Sequence, residues 1–93
     1  MTILINPKHG FTYDGAQLNV YHANIGEGLP KHEHGYSHAI ICHNGSCLVS
    51  LEGRSYTINK NSKPLNLPAF EWHEIKALED DTVFVNVFAE GKY

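Results

Sequence analysis

Hydrophobic and polar residues alternate with a period of two along much of this chain, most regularly between residues 38 and 58. Successive side chains of a β-strand point to opposite faces, so this period predicts strands with one buried face. No window of eleven residues sustains the 3.6-residue period of a helix. The predicted buried face contains His38, Ile40, Cys42, Cys47, Val49, Leu51, Tyr56 and Ile58. The opposite face carries Ser46, Ser50, Glu52, Ser55 and Thr57.

A turn at Asn44-Gly45 interrupts this region. Asn-Gly is the strongest short signal for a type I′ hairpin, because both central residues need a positive φ. Such a hairpin would place Cys42 opposite Cys47. In a reducing compartment we expect two buried thiols there, and not metal ligands or a disulfide.

Two further turns are indicated at Gly53-Arg54 and at Asp80-Asp81, the second joining the alternating run 72–78 to the β-rich run 82–89. With two-residue loops, the pairs that face one another are Leu51 with Tyr56, Val49 with Ile58, and Ile75 with Asn86. Asn86 would then reach the inner face as a polar candidate for contact with a metal ligand or substrate. Several short antiparallel strands at regular spacing predict a sandwich or barrel.

The length of 93 residues fits one domain, residues 1–93. The net charge of −3 and the scattered Lys and Arg residues give no basic stripe, so nucleic acid is not an expected partner. No apolar run is long enough to span a membrane, and the start lacks the features of a signal peptide, so the cytoplasm is the expected location. A small core and a strand-like segment Met1 to Asn6 favour pairing with a second copy, as a homodimer.

Three histidines, His32, His34 and His38, fall within seven residues, and His73 follows 35 residues later. On a strand, His32 and His34 lie on one face, and the alternation points His38 and His73 inward as well. Neutral imidazole is the commonest protein ligand for divalent transition metals. The pattern predicts one such ion per subunit.

Simpler roles exist for several of these residues. His38 is also compatible with a core histidine that donates a hydrogen bond to a backbone carbonyl. His9, His22 and His43 are expected on the surface or in turns, and Glu33 is expected to point away from the ion. For Tyr36, Phe70 and Trp72, core packing is favoured over lining a pocket.

The spacing resembles that of the cupin superfamily. The first cupin motif corresponds to residues 26–45, read as Gly26, E-G-L-P-K, His32-Glu-His34, G-Y-S, His38, A-I-I-C-H-N, Gly45, with His38 where the family has glutamate. The second corresponds to residues 62–77, where Pro68 and His73 keep their places and Ser62, Phe70 and Ala77 replace the usual Gly, Gly and Asn. The resemblance implies an all-β, antiparallel double-stranded β-helix, a jelly-roll-like barrel with little or no helix. It also implies metal ligation by His32, His34, His38 and His73, and it adds support for a dimer.

Four neutral imidazoles would leave the full charge of the ion, which favours Zn²⁺, Fe²⁺, Ni²⁺, Co²⁺ or Cu²⁺ over Mn²⁺. By analogy with the family, a small oxygenated substrate and dioxygenase-like chemistry are expected, with isomerase, cyclase or lyase chemistry as alternatives. A non-catalytic module that binds a metal or a small ligand is the other class. Tyr36 and Glu27 are the candidate general bases, and Asn86 is a candidate substrate contact.

Overall fold

The computed structural model describes residues 1–89, and within them the chain forms ten β-strands and no helix. The predicted all-β class is therefore confirmed, and no helix there is available to cross a membrane. The strands are β1 (Ile3–Leu4), β2 (His9–Tyr13), β3 (Ala16–Ala23), β4 (Glu27–His32), β5 (His38–Asn44), β6 (Ser46–Leu51), β7 (Arg54–Asn59), β8 (Leu65–Leu67), β9 (His73–Ala77) and β10 (Thr82–Ala89).

The strands form two five-stranded sheets, in the orders β1-β4-β9-β6-β7 and β2-β3-β10-β5-β8. Neighbouring strands are antiparallel except β1 and β4, which are parallel. The inward side chains of both sheets meet in one hydrophobic core. Its largest members include Tyr21 and Phe84 on adjacent strands, whose rings stack with centroids 4.8 Å apart. The core is typical of two sheets packed face to face.

The predicted hairpin at Asn44-Gly45 is wrong. β5 and β6 belong to different sheets, so Cys42 and Cys47 are not cross-strand partners. Gly45 has a φ of 73°, but Asn44 does not have the positive φ that a type I′ hairpin also requires, and the chain crosses here from one sheet to the other. A Cβ at Gly45 would collide with Thr82. Because both sheets face the same core, the predicted inward residues on β5 and β6 are still buried.

The two cysteines are both buried and free in the structure. Burial raises the pKa of the Cys42 thiol, and burial followed by the neighbouring Cys42 raises the pKa of Cys47. Cys42 Sγ also donates a hydrogen bond to the carbonyl oxygen of Asn44, at 3.4 Å. Both groups are therefore protonated structural thiols, as expected from the sequence.

The other two turns also differ from expectation. β6 and β7 do form a hairpin, but Leu51 pairs with Arg54 and Val49 pairs with Tyr56, so the loop is one position earlier. Tyr56 is 41% exposed, because β7 is the edge strand of its sheet. The turn at Asp80-Asp81 joins β9 to β10 across the two sheets and does not form a hairpin.

Asn86 therefore does not face Ile75. Its partners are Ile40 on β5 and Asn19 on β3. It is nevertheless fully buried and on the inner face, because the alternation along β10 points Phe84, Asn86 and Phe88 into the barrel.

Gly28 determines how closely β4 approaches β9. These two strands carry His32 and His73. A Cβ at Gly28 would collide with the carbonyl oxygen of Ile75, which is backbone and cannot rotate away. We expect Gly28→Ala to lower the free energy of unfolding by about 3 kcal/mol, since the strands must separate. Gly53→Ala is the control, because Gly53 has a φ of 78° but no neighbour within 4 Å, and only the backbone penalty of about 1 kcal/mol applies. Chemical denaturation measures both, and equal losses would contradict the explanation.

Candidate metal centre

His32 and His73 face one another across β4 and β9. The register of these strands shifts between Leu29 and His32, which places a bulge at Pro30 and Lys31. Proline has no backbone N–H to contribute to the strand ladder and is therefore tolerated at a bulge. The bulge brings the His32 ring to 4.3 Å from the His73 ring, measured between centroids.

His34 lies just beyond the end of β4, and its ring centroid is 4.8 Å from that of His32 and 5.1 Å from that of His73. One nitrogen from each of these three residues lies within 4.8 Å of the others. The sequence places His34 on the same strand as His32, whereas the structure places it in the connection to β5. The three rings nevertheless converge, and they form a group that can hold a metal ion.

Hydrogen bonds to backbone carbonyls set the orientation of two of the rings. His32 Nδ1 donates to the carbonyl oxygen of Pro30 at 2.6 Å, and His73 Nδ1 lies 3.4 Å from the carbonyl oxygen of Glu71. A carbonyl only accepts, so the ring proton of each residue is on Nδ1. Nε2 is then the basic nitrogen, which is the arrangement found in metal-binding histidines.

His38 adjoins this group from the other sheet. Its Nε2 lies 3.3 Å from Nε2 of His73, and its ring centroid is 5.1 Å from that of His34. Two nitrogens bound about 2.0–2.1 Å from one tetrahedral ion are roughly 3.3–3.4 Å apart, so the separation fits shared ligation. The convergent group of three does not include His38. Its ligation in place of the usual glutamate stays a prediction.

Burial keeps these imidazoles neutral. It is the main cause that lowers the pKa of His38 and of His73 to about 4, and it also lowers the pKa of His34. Repulsion from neighbouring histidines adds to each shift. A metal binds the neutral form of imidazole, so at neutral pH these side chains are already in the state that ligation requires.

Tyr36 lies against the cluster. Its ring stacks on His34 with centroids 4.7 Å apart and an interplanar angle of 7°, and it is 6.3 Å from the ring of Phe88. Burial raises the pKa of the Tyr36 hydroxyl. The phenol is therefore protonated at neutral pH and suits a hydrogen-bond donor better than a general base.

Phe70 does not pack in the core, so that expectation is wrong. It is 77% exposed and has a φ of 61°, in the left-handed region that favours glycine. Its backbone N–H donates to the carbonyl oxygen of His34 at 2.8 Å, and its ring lies over Gly35. Phe70 occupies the place where the second motif has glycine, so the backbone conformation is retained although the residue is different. Trp72 is half-buried and has the Lys31 ammonium 4.4 Å from its ring centroid.

The remaining candidates lie elsewhere. Glu27 is at the opposite end of β4 from His32, and its carboxylate accepts a hydrogen bond from the backbone N–H of Asn24 at 2.7 Å. The structure therefore gives Glu27 a role in a turn and does not bring it to the histidines. The residues expected at the surface are exposed: His9, His22, Glu33 and His43.

No family model matches the sequence, and no curated protein matches it. Solved structures do match. A cupin-2 domain containing protein from Shewanella frigidimarina has a TM-score of 0.73 and 11% identity, over 92% of this chain and 84% of that one. An RmlC-like cupin family protein with a double-stranded β-helix fold, from Methanocaldococcus jannaschii, has a TM-score of 0.71 and 21% identity, over 85% and 73%.

KdgF from a Halomonas species is similar over nearly the whole of both chains, with 98% of this chain and 96% of that one covered, a TM-score of 0.69 and 20% identity. These likenesses agree with the two-sheet, all-β architecture. The chain therefore has the double-stranded β-helix fold of the cupins.

Proposed function

We propose that this protein binds one divalent transition metal per subunit and uses it to act on a small oxygenated molecule. The ligands are His32, His34 and His73, with His38 as the fourth. The observation that carries the proposal is the convergence of three imidazoles whose nitrogens lie within 4.8 Å, two of them held by backbone carbonyls. Because the imidazoles are neutral at neutral pH, they can present basic nitrogens to a cation without having to lose a proton first.

The donor set indicates which ions fit. Neutral imidazoles leave the charge of the ion uncompensated, and nitrogen ligands favour Zn²⁺, Fe²⁺, Ni²⁺, Co²⁺ or Cu²⁺ over Mn²⁺. When bound, such an ion supplies Lewis-acid polarisation of an oxygen atom or, as iron, the capacity to bind O₂. Tyr36 is placed to donate a hydrogen bond from its protonated hydroxyl and to exclude water from the side of His34.

The class of reaction rests on analogy with the fold. Dioxygenase-like chemistry is the first candidate, and isomerase, cyclase or lyase chemistry would use the same ligands. The second function is a non-catalytic module that holds a metal or small ligand. A tetrahedral ion bound by His38 and the other three histidines would favour this second function, because four protein ligands in a tetrahedron leave no open coordination position.

Coordination number separates the two functions. Untagged protein loaded with one equivalent of Co²⁺ should show five or six nitrogen and oxygen neighbours by X-ray absorption if the site is open for substrate, and four if it is closed. We expect the higher number, with His38→Ala reducing the number of imidazole neighbours by one. A four-coordinate centre that is unchanged by added small anions would support the binding module instead.

We also propose that the protein is a homodimer. β1 is an edge strand, and its side chains Ile3 and Leu4 are 62% and 66% exposed. An exposed apolar edge strand pairs readily with a second chain. Light scattering at micromolar concentration should give twice the monomer mass, and Leu4→Lys should shift it towards monomer, whereas Lys60→Ala on an exposed turn should not. A parent protein that is monomeric at this concentration would contradict the proposal.

A further inference from the structure

Asn86 presents an unusual group to the barrel interior. The side chain is fully buried, and neither the oxygen nor the nitrogen of its amide has a hydrogen-bond partner among residues 1–89. Buried amides are almost always hydrogen-bonded in native proteins, because an unsatisfied one loses its interactions with water. An exception of this kind calls for a physical explanation.

The register places this amide beside the histidines. Asn86 pairs with Ile40 on β5, and His38 is the next inward residue of that strand. Diagonal neighbours on one face of an antiparallel pair are about 7–8 Å apart. Phe88, the next inward residue of β10, has its ring 6.4 Å from that of His38. A molecule of a few bonds can therefore span from the histidine cluster to the amide.

Two more amides continue from Asn86 on the same face. Asn19 is its register partner on β3, and Gln17, the next inward residue of β3, donates a hydrogen bond to Asn19 Oδ1 at 3.0 Å. Gly10 on β2 pairs with Asn19, and a Cβ there would press on both side chains. The absence of a side chain at Gly10 thus lets β2 lie close against the side chains of Gln17 and Asn19, which continue the row of amides from Asn86.

The buried side chains also restrict the charge that a ligand can carry. Within residues 1–89 no Lys, Arg, Asp or Glu side chain is buried, and the buried polar groups are Thr2, His38, His73, Thr82 and Asn86. A charged group seated against Asn86 would have no compensating side chain, so the ligand must be neutral at that end. A primary amide has two donors and an acceptor, which matches a hydroxyl group, since a hydroxyl both donates and accepts.

We propose that Asn86 determines ligand specificity by binding the neutral, hydroxyl-bearing end of a small ligand whose other oxygen is held at the histidine cluster. The ligand class is that of hydroxyketones and related polyhydroxylated compounds. The inference rests on the proposed metal-dependent function, and it adds the substrate class to it.

The test uses full-length protein loaded with Co²⁺ and two probes of the same size, hydroxyacetone and butanone, in the second of which a methyl group replaces the hydroxyl. Perturbation of the visible absorption of the cobalt centre reports binding. The parent should prefer hydroxyacetone by at least about tenfold, because a site built to hydrogen-bond a hydroxyl rejects the analogue that lacks it. Asn86→Val should abolish the preference. Val87→Thr, on the outward face of the same strand, should leave it unchanged.

Stability gives a second readout that a purely structural amide would not produce. Because Asn86→Val removes a buried polar group without a partner, the metal-free variant should melt at a higher temperature than the parent. If the valine variant does not fold, Asn86→Ala replaces it in the ligand test.

The outcomes separate the two proposals. A protein that takes up no Co²⁺, or whose cobalt spectrum does not respond to azide, defeats the proposed function. A centre that responds to azide while the variants retain the parent's preference for hydroxyacetone overturns only the role of Asn86.

Discussion

Replacing His73 with alanine should lower the affinity for Co²⁺ or Zn²⁺ at pH 7.5 by more than about 100-fold, beyond the 10–100-fold typical of losing a residue that only supports a metal ligand. The side chain is 1% exposed, lies opposite His32 and shares a 3.3 Å nitrogen contact with His38. The other three histidines of the site lie between residues 32 and 38, so His73 is the one that a distant part of the sequence contributes. Competition titration against a chromophoric chelator measures the affinity.

His43→Ala is the matched control, because the same atoms are removed from an exposed histidine at the other end of β5. It should bind the ion as the parent does. His38→Ala then tests the fourth position, with a loss of more than about 100-fold, close to that of His73→Ala, if His38 is a ligand and about 10–100-fold if it only supports one. Binding by His73→Ala within threefold of the parent would show that the ion is held elsewhere.

Acid should remove the stabilisation that the metal provides. Burial lowers the pKa of His38 and His73 to about 4 in the folded chain, whereas histidine in the unfolded chain titrates near 6.5. Between these two pKa values the unfolded state binds more protons than the folded state. The folding stability from these residues is therefore present above about pH 6.5 and is lost towards pH 4. Metal binding adds to this in the same direction, because it also requires neutral ligands.

Thermal melting of metal-loaded and chelator-treated protein measures the effect. With free metal about 100-fold above the dissociation constant, the added stability is about 2.7 kcal/mol, or roughly 10–20 °C for a chain of this size. That difference should be present at pH 8 and shrink as the pH falls towards 4, where His38 and His73 become protonated in the folded chain, more steeply than one titrating group allows. A difference that is absent at pH 8, or that grows as the pH falls, would contradict ligation by histidine.

The alternation of residue types predicts which side chains point inward, and this level of the structure is confirmed for Ile40, Val49 and Ile75. It does not predict which sheet a strand joins. The Asn44-Gly45 signal describes a local turn, and in the structure only Gly45 has the positive φ that a type I′ hairpin needs at both residues. A hairpin and a crossing would both bury the inward residues of β5 and β6, so the choice depends on the partners that these strands find elsewhere, β10 and β8 for β5 and β9 and β7 for β6.

For the candidate site, too, the sequence predicts which side chains converge but not the tertiary contacts around them. Spacing predicts that His32, His34 and His73 converge, because residues two apart on a strand share a face and the alternation points His73 inward. The bulge at Pro30 and the exposure of Phe70 are not visible in the pattern. Each depends on a tertiary contact, the first with β9 and the second with the segment that carries His34.

The strand order has a consequence for how the chain is made. β10 is central in its sheet, with β3 on one side and β5 on the other, yet it is the last of the ten strands in residues 1–89. During synthesis, β3 and β5 emerge from the ribosome well before the strand that must join them. Among the strands of residues 1–89, β2–β3 and β6–β7 alone pair as hairpins of consecutive strands, so these can form early. We therefore expect folding to be completed after Ala89 leaves the ribosomal tunnel, at the slow rates typical of chains dominated by distant pairings.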